Sequence, residues 1–360
     1  MFTILALALF AAPPTITAAV GTGERGFIDG RLPQETNLDN PFDVTFGDFG
    51  ELVFSDTNNH CVRYLNKHGF GIGGTIQLLA GSGTKGYTGD GGPARKATLN
   101  EPYGIAFETT KHPAIMGDLY IVDRLNYCIR KVERSTGIIT TIAGTGKSGT
   151  SKDGIKATEA ALGEANGICI SNGILYIADV KAQKVRSVDL KTNIIGTLVG
   201  TGEKTTLDGP LDKAACNGPR ALCTDHDGTI LLAEREGNCV RRIDPVKKTI
   251  TRIAGTGKKG YTGDGGPASD CTFDGPKAIC VDKDSNIFVC DTENEVIRKI
   301  DIKTGVVTTV AGKGKTKTPG LGDGDDPLKA TLGRPHGVAV GPDGAIYIGD
   351  TLSHRIRVVK

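Results

Sequence analysis

The chain has 360 residues, of which 51 are glycine and none is tryptophan, with 43 basic and 41 acidic residues. A net charge of +2 gives no general attraction to nucleic acid or to an anionic membrane, so the composition argues against both partners. Abundant glycine without a long helical stripe indicates many tight turns between short strands.

The N-terminal residues 2–12 form an apolar run of eleven residues followed by two prolines. This run is too short to span a bilayer as a helix, and no transmembrane span is predicted. It is typical of the apolar part of a secretion signal, although no Lys or Arg precedes it. We expect residues 1–12 to be a signal peptide and the protein to be secreted or periplasmic. A buried N-terminal segment is the alternative.

One phrase recurs six times along the chain: an acidic residue, six further residues, and an arginine. The pairs are Asp56/Arg63, Asp123/Arg130, Asp179/Arg186, Glu234/Arg241, Asp291/Arg298 and Asp350/Arg357. Successive acids lie 55 to 67 residues apart, which indicates a repeated structural unit.

Each unit contains four segments with the length and composition of β-strands. In the second unit they are residues 103–108, 118–123, 128–133 and 137–144, which are rich in β-branched and aromatic residues and separated by turn residues. Six units of four strands, without a helix-length periodic segment, predict an all-β fold, a six-bladed β-propeller.

The repeated phrase, with Asn three residues after the acid, resembles the NHL-repeat family. The strand "LYIVD" before the acid and the Pro-x-Gly opening of the first strand support the resemblance, which covers the chain from about Thr15 to Lys360. It implies a single propeller of NHL repeats. The departures are modest: Glu234 replaces Asp, and Ala182, Gly237 and Ser353 replace Asn.

The two ends of the chain are expected to close the ring together. After the sixth phrase the chain ends with "HRIRVVK" and lacks a fourth strand, whereas residues 15–20 match the fourth strands of the other units. We therefore predict that Thr15–Val20 complete the last blade, which removes the exposed sheet edges of an open ring. The predicted domain spans 13–360, with blades at about 41–82, 102–145, 165–201, 219–256, 276–313, and 335–360 plus 15–22.

The repeated acid and arginine are interpreted as scaffold, because a ligand site rarely needs six equal copies. The acid ends a strand, where it can accept backbone N–H bonds, and the arginine can pair with an acid. Seven of the nine cysteines occupy repeated strand positions and are expected to pack as small apolar residues. Cys216 and Cys271 fall in loops between blades and are expected to be more reactive or paired.

The glycine-rich loops, such as residues 81–94 and 255–268, lack the Gly-Lys-Ser/Thr ending of a phosphate-binding loop. Asp90 and Asp264 lack the alternating acids of a calcium loop. Residues 320–327, with three acids, are the one cation candidate, weighed against a solvated acidic turn. No metal site and no cofactor are predicted.

The residue after each first-strand proline, or its equivalent, is expected to lie at the top mouth of the channel. These ligand-binding candidates are Phe42, Tyr103, Asn166, Arg220, Lys277 and His336. One side of this ring is cationic and the other aromatic, which suits an anionic or polar ligand with an apolar or planar part. A solvated rim, with Glu101 and Glu164 neutralising the cations, is the alternative.

These observations favour a binding module over an enzyme. Only His336 among the six histidines reaches the predicted mouth, and no Gly-x-Ser-x-Gly elbow or matched Cys–His pair occurs. No catalytic residues are predicted. The expected function is a recognition scaffold for a protein, peptide or carbohydrate ligand. The alternative is a channel-based, metal-dependent lyase or hydrolase of the lactonase type, with His336 as ligand or base.

Overall fold

The computed structural model describes residues 12–29, 32–66, 74–108 and 117–360. The predicted signal peptide lies outside these ranges except for Ala12. Within them, the chain forms six antiparallel sheets, each with four main strands in sequential order. The predicted six-bladed, all-β propeller is confirmed. We number the blades 1 to 6 by their first strands.

The four strands of each blade recur with nearly constant lengths. The first strands are Pro41–Phe46, Pro102–Phe107, Ala165–Ser171, Pro219–Thr224, Ala278–Val281 and Gly337–Val340. The second strands are Leu52–Asp56, Leu119–Asp123, Ile174–Asp179, Ile230–Glu234, Ile287–Asp291 and Ile346–Asp350. The third strands are Cys61–Asn66, Cys128–Glu133, Lys184–Asp189, Cys239–Asp244, Val296–Ile300 and Arg355–Val359. The fourth strands are Thr75–Ala80, Ile138–Ala143, Ile194–Val199, Thr249–Ala254, Val307–Ala311 and, in blade 6, Ile16–Val20.

Short elements complete the turns. Two-residue strands extend the outer edges of blades 2 to 4, at Gly92–Pro93, Ile155–Lys156 and Gly209–Pro210. Single 3₁₀ turns follow four second strands, at Thr57–Asn59, Arg124–Asn126, Thr292–Asn294 and Thr351–Ser353. Four others lie in the glycine-rich loops, at Pro33–Glu35, Ala94–Lys96, Ala157–Glu159 and Ala268–Asp270.

The first strands of neighbouring blades contact one another around the central channel, and that of blade 6 contacts that of blade 1. The glycine of the Pro-x-Gly opening in blade 2, and the equivalent glycine of Ala165-Asn166-Gly167 in blade 3, permit this approach. A Cβ on Gly104 would lie 2.5 Å from the carbonyl oxygen of Asn166, and one on Gly167 would lie 2.7 Å from that of Arg220. The absence of a side chain at Gly104 and Gly167 therefore lets the first strands of blades 2 and 3 lie against the first strand of the following blade.

The N-terminal strand closes the ring as predicted. Ile16–Val20 pairs antiparallel with Arg355–Val359, the third strand of blade 6. The backbone N–H of Thr15 donates to Lys360 (2.8 Å), and Lys360 donates back to Thr15 (3.0 Å). Ile16 and Val20 are fully buried, so this strand also belongs to the apolar core.

The core consists of apolar clusters between adjacent blades. The expectation for Cys216 and Cys271 is wrong. Both are fully buried in these clusters, and burial raises the pKa of both thiols. All nine cysteines lie within the described ranges and are free.

Candidate functional site

The repeated arginines form a buried framework, which confirms their interpretation as scaffold. In blade 2, Arg130 donates to the strand acid Asp123 (3.2 Å) and to Asp90 of the glycine-rich loop (2.7 Å). The other framework arginines also meet a loop acid. The loop pairs are Arg63/Asp29, Arg130/Asp90, Arg186/Asp153, Arg241/Asp208, Arg298/Asp264 and Arg357/Asp323.

Sequence reasoning missed this second carboxylate, although a signal exists. An Asp-Gly dipeptide occurs in every glycine-rich loop, at the acid that pairs with the arginine. In the cation candidate, residues 320–327, Asp323 is held by Arg357 (2.8 Å) and Arg355 (3.2 Å). The aspartate of each Asp-Gly dipeptide therefore fixes the glycine-rich loop to its blade through an ion pair with the repeated arginine.

The structure brings the six predicted mouth residues together. They line a cavity of about 50 Å³ at the start of the first strands. Asn166, Arg220, Lys277 and His336 are buried, and Phe42 and Tyr103 are half-buried. The predicted ring is therefore not an open rim, because its side chains contact one another across the mouth.

The aromatic side of the mouth forms a continuous stack. The rings of Phe42 and Tyr103 lie 4.2 Å apart at 22°, and the His336 ring lies 4.2 Å from Phe42 on its other side. The Arg220 guanidinium lies over Tyr103 at 5.2 Å from the ring centre, a cation–π geometry. The cationic and aromatic sides are therefore in direct contact.

Lys277 and His336 form a polar pair at the His336 end of this stack. The Lys277 ammonium donates to Glu293 (2.6 Å) and lies 3.3 Å from His336 Nε2. His336 Nδ1 lies 2.7 Å from the carbonyl oxygen of Arg334, which can only accept, so the proton is on Nδ1. Burial, with Lys277 and Arg220 nearby, lowers the pKa of His336 well below its usual value. His336 is therefore neutral and adds no positive charge.

Arg220 is the unusual residue of the mouth. Its side chain donates to the side-chain amide oxygen (Oδ1) of Asn166, it is only 7% exposed, and no described carboxylate lies within ion-pair distance. Its Nε has no acceptor in the part of the chain that the structure describes. Burial lowers the pKa of Arg220 to about 10, so it stays charged at neutral pH. Buried charges normally have a partner.

The nearby acids serve other groups. Glu101 and Glu164 both pair with Arg124, at 2.7 and 3.0 Å, rather than with Arg220. The Asp43 carboxylate on the mouth wall accepts the backbone N–H groups of Val44 (3.0 Å) and Ile105 (2.9 Å). The alternative in which Glu101 and Glu164 neutralise the ring cations does not hold for Arg220.

A second pocket adjoins the mouth and was not predicted. This pocket, of about 400 Å³, is called the blade 4–5 pocket here. It is lined by Arg235, Glu236, Asn238, Lys259, Asp274, Gly275, Lys277, Glu293 and Arg334. Lys277 belongs to both walls. Its residues come from the turns after the second strands of blades 4 and 5 and from the loops before the first strands of blades 5 and 6, and their side chains differ from blade to blade at most of these positions.

A larger cavity, of about 510 Å³, lies between blades 1 and 2 and is lined by Phe49, Tyr64 and Leu79 among others. Its wall includes Asn66, next to residues 67–73, which lie outside the described ranges. It contains none of the six mouth residues, so we place the candidate site at the mouth.

Across residues 12–29, 32–66, 74–108 and 117–360, no group of three or more His, Cys, Asp or Glu side chains is arranged to hold a metal ion. Among the same residues, no helix has the length and apolar character needed to cross a bilayer.

The NHL repeat family model matches residues 332–359. Among curated proteins, the chain is similar to Protein SUPPRESSOR OF QUENCHING 1, chloroplastic, of Arabidopsis thaliana, with 26% identity over 79% of this chain and 27% of that protein. It is 25% identical to human NHL repeat-containing protein 2, over 82% of this chain and 43% of the relative. The chain thus spans less than half of these relatives.

Solved structures share the fold. An auxiliary nutrient binding protein from Bacteroides thetaiotaomicron superposes with a TM-score of 0.69 at 18% identity, covering 96% of this chain and 76% of that one. A streptogramin B lyase superposes with a TM-score of 0.52 at 15% identity, covering 92% of this chain and 96% of that one. At these identities the likeness concerns the fold alone.

Proposed function

We propose that this chain, an NHL-repeat β-propeller, is an exported recognition scaffold that binds the anionic group of a protein, peptide or carbohydrate ligand at the mouth of its channel. The observation that carries the proposal is the buried guanidinium of Arg220, which has no carboxylate within ion-pair distance among the described residues. A carboxylate or phosphate would supply the missing partner through charge-assisted hydrogen bonds.

The other mouth residues have distinct roles in this proposal. Lys277 supplies a second cation beside Arg220, and neutral His336 holds the Lys277 ammonium in place. Phe42 and Tyr103 offer a planar apolar wall to the ligand, and Asn166 fixes the Arg220 side chain. Because the first strands pack against one another, these groups are held rigidly and binding costs little ordering entropy.

The metal-dependent lyase or hydrolase is not supported by the site geometry. In that alternative His336 would be a metal ligand or a base. Its Nε2 instead faces the Lys277 ammonium at 3.3 Å, and its Nδ1 is occupied by the Arg334 carbonyl oxygen.

Isothermal titration calorimetry with acidic probes tests the proposal. The probes are triglutamate, trigalacturonate and inorganic phosphate, with wild type compared to Arg220→Met. We expect at least one probe to bind the wild-type protein. The Arg220→Met substitution should weaken the binding of that probe at least about tenfold. Lys247→Met, which removes an exposed lysine from a turn between third and fourth strands, should bind like wild type. Equal binding by Arg220→Met, or no binding of any probe, would overturn the proposal.

A further inference from the structure

We infer that the ligand is an acidic saccharide whose anionic group lies at Arg220 and Lys277 and whose sugar rings occupy the blade 4–5 pocket. This inference rests on the proposed function and narrows its ligand from three classes to one. It follows from the volumes of the two cavities, the chemistry of the pocket wall and its charge.

The mouth cavity is too small for a whole ligand. Its volume of about 50 Å³ suits one small group, whereas small-molecule sites usually have about 300–1,000 Å³. The blade 4–5 pocket, at about 400 Å³, falls within that range. Lys277 lies on both walls, so the two cavities adjoin, and we place the remaining part of a ligand whose anion is at the mouth in this pocket.

The pocket wall favours a hydroxyl-rich ligand. Every side chain that lines it is charged or an amide, and Gly275 contributes backbone. Within the described part of the chain, the lining includes neither an aromatic nor an aliphatic side chain. Apolar peptide side chains would gain no apolar contact there, whereas sugar hydroxyls can donate to its carboxylates and accept from its guanidinium and ammonium groups.

Charge in and beside the pocket favours an acidic sugar over a neutral one. Glu293 is shared by Lys277 (2.6 Å) and Arg334 (3.2 Å). Likewise, the Asp274 carboxylate forms ion pairs with two ammonium groups, those of Lys259 (3.1 Å) and Lys315 (3.2 Å).

The pocket is lined by four cations and three carboxylates, and Arg220 at the adjoining mouth has no carboxylate partner among the described residues, so cations exceed carboxylates in this region. An additional negative charge from the ligand therefore completes the pairing.

Calorimetry with matched probes tests the inference. Trigalacturonate is compared with its methyl ester, which removes the charge while keeping the sugar rings, and with triglutamate carrying an amidated C-terminus, which keeps three carboxylates without the sugars. We expect trigalacturonate to bind at least tenfold more tightly than either. A neocarrabiose sulfate, which carries sulfate and no carboxylate, distinguishes the two anions, and tighter binding of it would support the inference with sulfate as the anion.

Two pocket variants extend the test. Arg334→Asn removes a lining cation at a residue with a φ of +46°, a conformation that Asn tolerates, and Lys259→Met removes another. Each substitution should weaken the binding of trigalacturonate at least threefold without changing the melting temperature. Lys247→Met should not weaken this binding.

The possible failures are distinguishable. If triglutamate binds as tightly as trigalacturonate and the pocket variants have no effect, anion recognition at Arg220 stands and the saccharide inference is wrong. If no acidic probe binds, both proposals are wrong.

Discussion

Buried arginines in this propeller fall into two kinds. Framework arginines each pair with at least one carboxylate, and Arg130 pairs with two, whereas Arg220 pairs with none among the described residues. Removing one partner of a buried ion pair leaves an uncompensated charge, while removing an unpaired cation removes a desolvation cost. Two arginines of equal burial should therefore respond oppositely to the same substitution.

Arg130→Met should lower the free energy of unfolding by about 3–5 kcal/mol, because the Asp123 carboxylate loses its buried cation. Arg220→Met should change it by less than about 1 kcal/mol, or raise it. Urea unfolding of the two variants beside wild type provides the measurement. A loss of several kcal/mol in Arg220→Met would place this residue in the scaffold.

The affinity of the mouth for anions should depend on pH through Lys277. Burial lowers the pKa of its ammonium to about 8, against the opposing effect of Glu293. The ammonium is charged below about pH 8 and loses its proton above it, so an anionic ligand should bind more weakly as the pH rises. We expect a loss of about tenfold between pH 7 and 9 for an acidic probe that stays ionised.

Titration calorimetry across this range should show the decline in wild type. Lys277→Met should bind more weakly at pH 7 and show a flat profile, since the titrating group is absent. A flat wild-type profile would mean that the Lys277 charge does not contact the ligand.

At the turn between the second and third strands, the strand acid accepts a hydrogen bond from different residues in different blades. In blade 2, the Asn126 side chain donates to Asp123 (2.9 Å) and to the Gly86 carbonyl oxygen (2.7 Å), joining the turn to the glycine-rich loop. Blade 4 has Gly237 at the Asn position, and the hydroxyl of Thr206 from the loop donates to Glu234 instead (2.6 Å). The departure from the repeat phrase is therefore compensated within the same blade.

Both Asn126→Ala and Thr206→Val should destabilise the protein by about 1–3 kcal/mol, because each leaves part of a buried carboxylate without its donor. Thermal unfolding provides the measurement. Thr205→Val is the control for blade 4. Among the described residues the Thr205 side chain makes no hydrogen bond to Glu234, so this substitution removes none. Unchanged stability in both variants would show that the turns do not depend on these bonds.

The strands and the mouth positions could be predicted because they repeat. Strand periodicity and the constant acid-to-Arg spacing fix which residues begin each first strand, so Phe42 and His336 were placed together although they lie far apart in sequence. The contacts made by those residues could not be predicted. The Lys277–Glu293 bond and the blade 4–5 pocket depend on side chains that differ from blade to blade, and a repeat pattern carries no information about them.

At the scale of the whole molecule, stability depends on closing the ring. In a repeat protein each unit buries its apolar faces only against its neighbours, so one open junction exposes two faces and an unpaired strand edge. Here the junction is closed within blade 6, where Ile16–Val20 supplies the outermost strand beside Arg355–Val359. The N-terminal strand therefore connects both ends of the chain in one sheet.

A chain beginning at Gly21 should be markedly less stable than one beginning at Pro13. Removing Ile16 and Val20 exposes the apolar faces they cover, at about 1.5–3 kcal/mol for each side chain, and leaves the edge of Arg355–Val359 unpaired. We expect a loss of at least about 3 kcal/mol and concentration-dependent aggregation, measured by urea unfolding and light scattering. The chain from Pro13 retains the closing strand and should unfold like the chain from Ala12. If the chains beginning at Gly21 and at Pro13 were equally stable, closure by this strand would be contradicted, because the ring would then hold together without it.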